Sequence, residues 1–409
     1  MRALRLNQYH ADLIFVRSDT KRFTLGKTVF TRLSLAFPTG LVCSGLRKLK
    51  WLSSHHWLPY LRLFLSPTLA KIKIFTTPPD GLIQTPPPVI LTIPGSYLRS
   101  LQLTFHPADD EAFENSVSVT ILQCGAFLER LETSVRLSEA AVSHLVGLRH
   151  LRTLRIGSDP PSGPAVPSSS IFPSLESLVL DNGVGHKWLS FLRVALEGSS
   201  VDGDLETPDV GMRATLTKLH CLGGITVDSA FVSLLCIFRK LTHVFADGSC
   251  SKEDGCTFLL TDSDITKLAD ALPDIKSLRL GSPCSANSCH TTAFSLLTLS
   301  THCLKLKNLE IHFNTTKIGR YLARLFKEPQ HETMRSLPRC PLSYLAVADA
   351  PISSRDIERT AIYVSGIFHG LQGFRGRHRK WAEASRKVKS LYAFRLQVAP
   401  DTCIVSTIL

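Results

Sequence analysis

The sequence predicts an α/β leucine-rich-repeat solenoid, a horseshoe with parallel strands on its concave face and helices on its convex face. Three observations carry that prediction. A hexad of the form apolar-x-x-apolar-x-apolar recurs in one direction along most of the chain. Segments with helical periodicity lie between successive copies. Leucine dominates an apolar fraction of 44%, while aromatic residues make up only 8%, the skew that copying one small unit leaves behind.

The copies run Leu46–Trp51, Leu69–Ile74, Leu98–Leu103, a degraded Leu128–Thr133, Leu151–Ile156, Leu175–Leu180, Leu216–Cys221, Leu241–Ala246, Ile275–Leu280, Leu306–Ile311 and Leu342–Val347. Leu371-x-x-Phe374 reads as a broken last copy, and Phe30-x-x-Leu33-x-Leu35 as a candidate first one. Most are spaced 23 to 36 residues apart. Alternation explains the hexad. In an extended segment, side chains at i and i+2 point the same way, so the last two apolar residues enter the core. The first turns in from the loop before the strand, and the residues between face outward.

Helices are expected between the strands. Ser138–Leu148 carries Ala141, Leu145 and Leu148 on one face. Thr261-Asp262-Ser263-Asp264 opens Ile265–Leu272 with a capping-box pattern, and Ser353-Ser354-Arg355-Asp356 does the same for Ile357–Phe368. Val227–Phe238, Ala293–Cys303 and Ile318–Phe326 are further candidates. A doubly wound α/β fold also alternates strands and helices, but its buried strands would be continuous Val/Ile runs without a repeated leucine entry. Pro-, Ser- or Gly-rich stretches at 76–95, 158–170, 197–212 and 327–341 read as inserted loops. The expected organisation is an N-terminal cap or remnant segment over 1–45, the solenoid over 46–374, and a basic C-terminal helix and tail over 375–409.

The 409 residues carry a formal charge of +13. The stretch Arg375–Arg395 holds eight basic residues against the single Glu383, about half of that excess. Arg375, Arg377, Arg379, Lys380, Arg386, Lys387 and Lys389 form its basic patch, with Trp381, Val388, Leu391 and Tyr392 near one helical face. Two readings stand for it: a cap over the end of the solenoid, or a basic surface for an acidic partner, RNA, calmodulin or a membrane surface. The rest of the chain is only mildly basic, so nucleic acid is not the expected partner. No window approaches the roughly 18–20 apolar residues of a membrane span. The N-terminus lacks the apolar core of a secretory leader. Eleven scattered cysteines suit a reducing compartment, so a cytoplasmic or nuclear location is expected.

Catalytic patterns are missing. No serine sits in a nucleophile elbow, and the glycines at Gly183, Gly185, Gly223 and Gly224 lack the spacing and lysine of a phosphate loop. Cys284-x4-Cys289-His290, with His302-Cys303 and Cys250-x5-Cys256, is the cluster that most resembles metal ligands. Its spacing is wider than that of structural zinc pairs, so core and loop cysteines are the better reading. His55-His56 reads as a packed pair, and Asp109-Asp110-Glu111 as a solvated helix start. The expectation is a non-enzyme without cofactor or metal.

A protein partner on the concave face is expected instead. Its middle row would read Lys50, Lys73, Gln102, Glu132, Arg155, Val179, His220, Phe245, Arg279, Glu310 and Ala346. The row before it would read Lys48, Lys71, Ser100, Arg130, Thr153, Ser177, Lys218, His243, Ser277, Asn308 and Tyr344. Arginine and aromatic residues are enriched among binding hot spots, which selects Arg155, Phe245, Arg279 and Tyr344 as anchors.

Three stretches add a resemblance. Leu46-Arg47-Lys48-Leu49-Lys50-Trp51 followed by Leu58–Leu69, the repeat entry Phe172-Pro173-Ser174-Leu175-Glu176-Ser177-Leu178, and Ala350–Phe368 resemble the leucine-rich-repeat region of fungal, mushroom-type F-box proteins. The likeness spans roughly residues 28–395. It implies the substrate-recognition part of a ubiquitin-ligase adaptor, docked through an F-box onto a cullin-linked ligase. Residues 1–45 lack the Leu-Pro opening of such a box, and Asp12–Arg17 resembles the segment that follows it. A stand-alone repeat scaffold, or a nucleic-acid binder acting through the basic tail, are the alternative expectations.

Overall fold

The computed structural model describes residues 4–9, 12–16, 22–25, 27–38, 42, 44–77, 97–105, 111–124, 127–162, 171–181, 183–197, 212–223, 225–248, 258–281, 290–315, 318–319, 321–322, 340–347, 352–371, 373–376 and 379–397. The chain divides into two compact units, Met1–Thr215 and Leu216–Leu409, each described by itself.

In the first unit, every hexad from Leu46 to Leu180 becomes a strand: β4 (Lys48–Ser54), β5 (Lys71–Thr77), β6 (Ser100–Thr104), β7 (Arg130–Thr133), β8 (Thr153–Ile156) and β9 (Ser177–Leu180). All pair in parallel with their sequence neighbours. Three strands precede them: β1 (Leu4–Tyr9), β2 (Asp12–Val16) and β3 (Arg22–Leu25). β1 lies parallel to β4, and the β1-β2-β3 meander is antiparallel, so the order is β9-β8-β7-β6-β5-β4-β1-β2-β3. β1, β2 and β3 thus extend the sheet beyond the edge that β4 would otherwise expose.

The second unit repeats the plan with β10 (Lys218–Leu222), β11 (His243–Asp247), β12 (Ser277–Leu280), β13 (Asn308–Ile311), β14 (Tyr344–Val347) and β15 (Phe374–Gly376). They too are parallel and in sequence order. In both units the order is linear and the sheet does not close. Each is an α/β solenoid stack, as the hexads require.

The hexad is the core. Its first and second apolar residues are buried in every copy from Leu46 to Phe374. A shared hydrogen-bond rung welds each copy to the next. The carbonyl that follows the first leucine accepts two successive N–H groups of the following repeat: Arg47 O takes Ala70 and Lys71, Ala70 O takes Arg99 and Ser100, and Thr242 O takes Lys276 and Ser277. These bends would otherwise bury unpaired amides. A second recurring bond closes the approach. The N–H of the first apolar residue donates to the carbonyl three residues back: Leu175 to Phe172, Leu241 to Phe238, Ile275 to Leu272, Leu306 to Cys303 and Leu371 to Phe368. The residue at that position is buried each time.

Helices follow the strands: α1 (Lys27–Ala36), α2 (Glu111–Cys124), α3 (Glu139–Val146), α4 (Gly185–Glu197) and α5 (Met212–Thr215) in the first unit. The second holds α6 (Ser229–Ile237), α7 (Asp262–Ala271), α8 (Ala293–His302), α9 (Ile357–Ile367) and α10 (Arg379–Gln397). Their starts are written in the sequence. Ser138 caps α3, Asp228 caps α6 and Thr292 caps α8 through side-chain oxygens that accept backbone N–H groups. Thr261 and Asp264 complete a reciprocal capping box on α7. Burial alone would raise the Asp264 pKa, but its bonds from Thr261 hold it below the ordinary value. Asp262, in the first turn of α7, ties that helix to the next: its carboxylate accepts from Thr292 N (2.7 Å), Thr292 Oγ1 (2.6 Å) and Ser295 Oγ (2.5 Å).

Two expectations need correction. Phe30-x-x-Leu33-x-Leu35 is not a strand copy but part of α1. Helical spacing sends Phe30 into the core against Trp51, Tyr60 and Phe64 and leaves Leu35 75% exposed. Ser353 does not cap a helix N–H. Its hydroxyl donates to Asp356 Oδ2 (2.5 Å) across a 3-10 turn, Ser354–Asp356, and α9 begins after it.

Candidate functional site

The third and fifth residues of each hexad face away from the core, and parallel register turns them into rows. On the second unit the middle row runs His220↔Phe245↔Arg279↔Glu310↔Ala346↔Arg375. The members touch. The His220 and Phe245 rings lie 5.6 Å apart, the Arg279 guanidinium sits 4.1 Å above the Phe245 centroid, and Arg279 Nε lies 2.9 Å from Glu310 Oε2. An arginine held over a ring gains cation–π attraction and is held flat and partly dehydrated.

The row then reaches Ala346, only 8% exposed although it lies on the open face. Beside it stand Tyr344, which is 37% exposed, and Arg375, whose guanidinium stands 5.9 Å from the Tyr344 ring. In the row before, burial first and then Lys218 and Lys276 hold the His243 imidazole below its usual pKa, which favours its neutral form.

Three of the four expected anchors therefore lie on the second unit: Phe245 and Arg279 in contact, and Tyr344 two strands beyond Arg279. Arg155 lies apart, on β8 of the first unit. Asp181 holds it, with Nε at 2.6 Å from Oδ2 and Nη2 at 3.4 Å from Oδ1. That carboxylate pairs it as Glu310 pairs Arg279, so Arg155 differs from the other anchors in the unit that carries it and not in being paired.

Reading by composition missed the place of Arg375. Grouped with the basic tail, it belongs to β15 and to the open face. The signal was present, since Leu371-x-x-Phe374 puts Arg375 at the middle position of a twelfth hexad.

The rest of the expected basic patch lies on α10. Arg379, Arg386 and Lys389 are exposed there, Lys380 is half-buried, and Lys387 stands 3.9 Å from Glu358. Arg377 lies outside the described residues. The opposite side of α10 buries Trp381, Ala384 and Val388, with the Trp381 ring edge-on to Phe313 (5.8 Å) and Phe374 (5.6 Å). Gly376, at the third apolar position of its hexad, supplies no apolar side chain. A Cβ there would stand 2.5 Å from Trp381 Cβ, so the indole takes that place.

Among the described residues no group of three His, Cys, Asp or Glu side chains could hold a metal ion. Cys250, Cys256, Cys284 and Cys289 lie outside them, while Cys303 is a buried thiol whose pKa burial pushes up to about 12. No helix among the described residues is long and apolar enough to cross a membrane. Neither protein-family models nor curated proteins yield a match to this chain.

Proposed function

We propose that this chain is a protein-binding repeat scaffold, without catalysis, whose partner rests on the open sheet face of the second unit. The observation that carries the proposal is a row of aromatic rings and arginines on one open face: Phe245 under Arg279 on β11 and β12 and, beyond Glu310 of β13, Tyr344 beside Arg375 on β14 and β15. Anchors on strands are held more rigidly than anchors on loops, and arginine and tyrosine desolvated at an interface centre carry much of a binding energy. The resemblance in Leu46–Leu69, Phe172–Leu178 and Ala350–Phe368 supports a more specific form, the substrate-recognition part of an F-box-type ligase adaptor.

Affinity capture from the source cells with the full chain, read by mass spectrometry beside the variant Phe245→Ala/Tyr344→Ala, tests both levels. Proteins retained by the parent chain and lost with the variant support the scaffold. An identical protein set on both sinks it. Recovery of the cullin adaptor with both chains supports the ligase form, and specific partners without that adaptor leave a stand-alone scaffold.

A further inference from the structure

On the first unit, β4 and β5 present four lysines to the open face: Lys48 and Lys50 on one strand, Lys71 and Lys73 on the next. Parallel register sets Lys48 directly beside Lys71 and Lys50 directly beside Lys73. Like charges directly opposite destabilise a sheet, and here two such pairs stand next to each other. Lys48 is exposed and the other three are half-buried.

Among the described residues none of the four lysines makes an ion pair. The nearest row acid, Glu132 on β7, is already engaged by Arg130, whose Nε donates to it at 2.6 Å. Partial burial first, and then Lys71, Arg130 and Lys50 against the pull of Glu132, hold the Lys73 ammonium below its usual pKa. Among the described residues, then, no carboxylate offsets these charges. On the same unit Arg155 has Asp181, Arg99 has Glu129 and Arg152 has Glu176.

We propose that Lys48, Lys50, Lys71 and Lys73 form a docking site for a short acidic peptide segment of a partner protein, bound extended along β4 and β5. The spacing supports the choice of ligand. Alternate residues of a strand lie roughly 6.6–6.8 Å apart and neighbouring strands about 4.8 Å. An extended peptide with carboxylates at alternate positions repeats the first of those distances, so each carboxylate can stand between a facing lysine pair.

Towards β6 the basic run is short, which argues against a long polyanion: the rows pass to Ser100 and Gln102 and then to Arg130 and Glu132, which pair with each other; towards β1, Arg5 lies in register with Lys50. Nucleic acid would also want rings for base stacking. The aromatic side chain these two strands bring to the same face is Phe75, and Lys50 Nζ lies over its ring at 5.8 Å. This site rests on different residues from the scaffold face of the second unit, and either can fail without the other.

The test is fluorescence anisotropy with the full chain and a labelled peptide of alternating Asp and Ser. The same peptide with Asn for Asp, and an oligothymidine, serve as comparisons. The expected result is binding of the Asp peptide at least about tenfold tighter than the Asn peptide, weakened about tenfold in Lys50→Gln/Lys73→Gln and by added salt. That variant removes repulsion rather than packing, so its melting temperature should equal or exceed the parent's. Equal affinity of parent and variant for the Asp peptide overturns the proposal. So does an oligothymidine bound more tightly than the peptide and lost in the same variant, which would make the patch a nucleic-acid contact.

Discussion

Thr133 stands where the hexad calls for a third apolar residue, and it is only 2% exposed. Its hydroxyl is satisfied locally, accepting Val135 N–H (3.0 Å) and donating to Val135 O (3.4 Å). The chain turns at once behind β7, and the hydroxyl supplies the bonds a further strand residue would have made. Restoring the repeat consensus should therefore harm the fold. Thr133→Val keeps the shape but strands a buried N–H, at a cost of about 1–3 kcal/mol, read as a lower midpoint in urea. A midpoint unchanged or raised would mean that the hydroxyl is only tolerated. Phe172 is a second special residue, at φ +44°, a conformation rare for a bulky side chain. Its N–H bond to Val146 O (2.8 Å) and its packing on Trp188 hold it there.

At the scale of elements, the decisive piece is α10. The last hexad ends in Gly376, and the helix supplies Trp381 to the empty place. Ser385 adds a bond by accepting Phe374 N–H (3.0 Å), which pins β15 to the helix. Gly376→Ala forces a methyl into the indole and should cost about 1–3 kcal/mol by overpacking. Trp381→Ala opens a cavity and should cost about 3–5 kcal/mol. Combined, the two should cost less than their sum, because the methyl then enters space the indole has left. Additive losses in a double-mutant cycle would show that Trp381 does not fill the Gly376 position. The same helix presents Arg379, Arg386 and Lys389 outward, so covering β15 and carrying charge are done by opposite sides of one element.

At the scale of the whole molecule, bonding runs from each repeat to its neighbours. Within each unit the shared-carbonyl rungs join successive copies, and the repeat strands pair in sequence order. Stability in such an array is a sum of local terms and nearest-neighbour interfaces. Leu154→Ala in β8 removes a fully buried side chain and should cost about 2–5 kcal/mol. Native-state hydrogen exchange should show that loss in the amides of β7, β8 and β9 while β4 and β5 keep most of their protection. Uniform loss across the first unit would mean that it opens as one block instead.

Before any coordinates, the chain already determined where its repeat strands lie, though not the three strands of the N-terminal meander, and which residues of each repeat enter the core or stand side by side on the open face. That information is local. Strand alternation has a period of two, and a hexad copied from Leu46 to Val347 fixes the register of every neighbour, so both rows could be read in order. Caps such as Thr261–Asp264 are local for the same reason. The tertiary structure alone decided which open-face charges are neutralised. Arg155 meets Asp181 and Arg279 meets Glu310 across 26 and 31 residues of chain, a separation that no local pattern encodes. It also decided that Phe30 packs from a helix, that Trp381 serves the strand ending at Gly376, and that the lysines of β4 and β5 meet no carboxylate among the described residues. Each of these outcomes depends on what lies one repeat away in space.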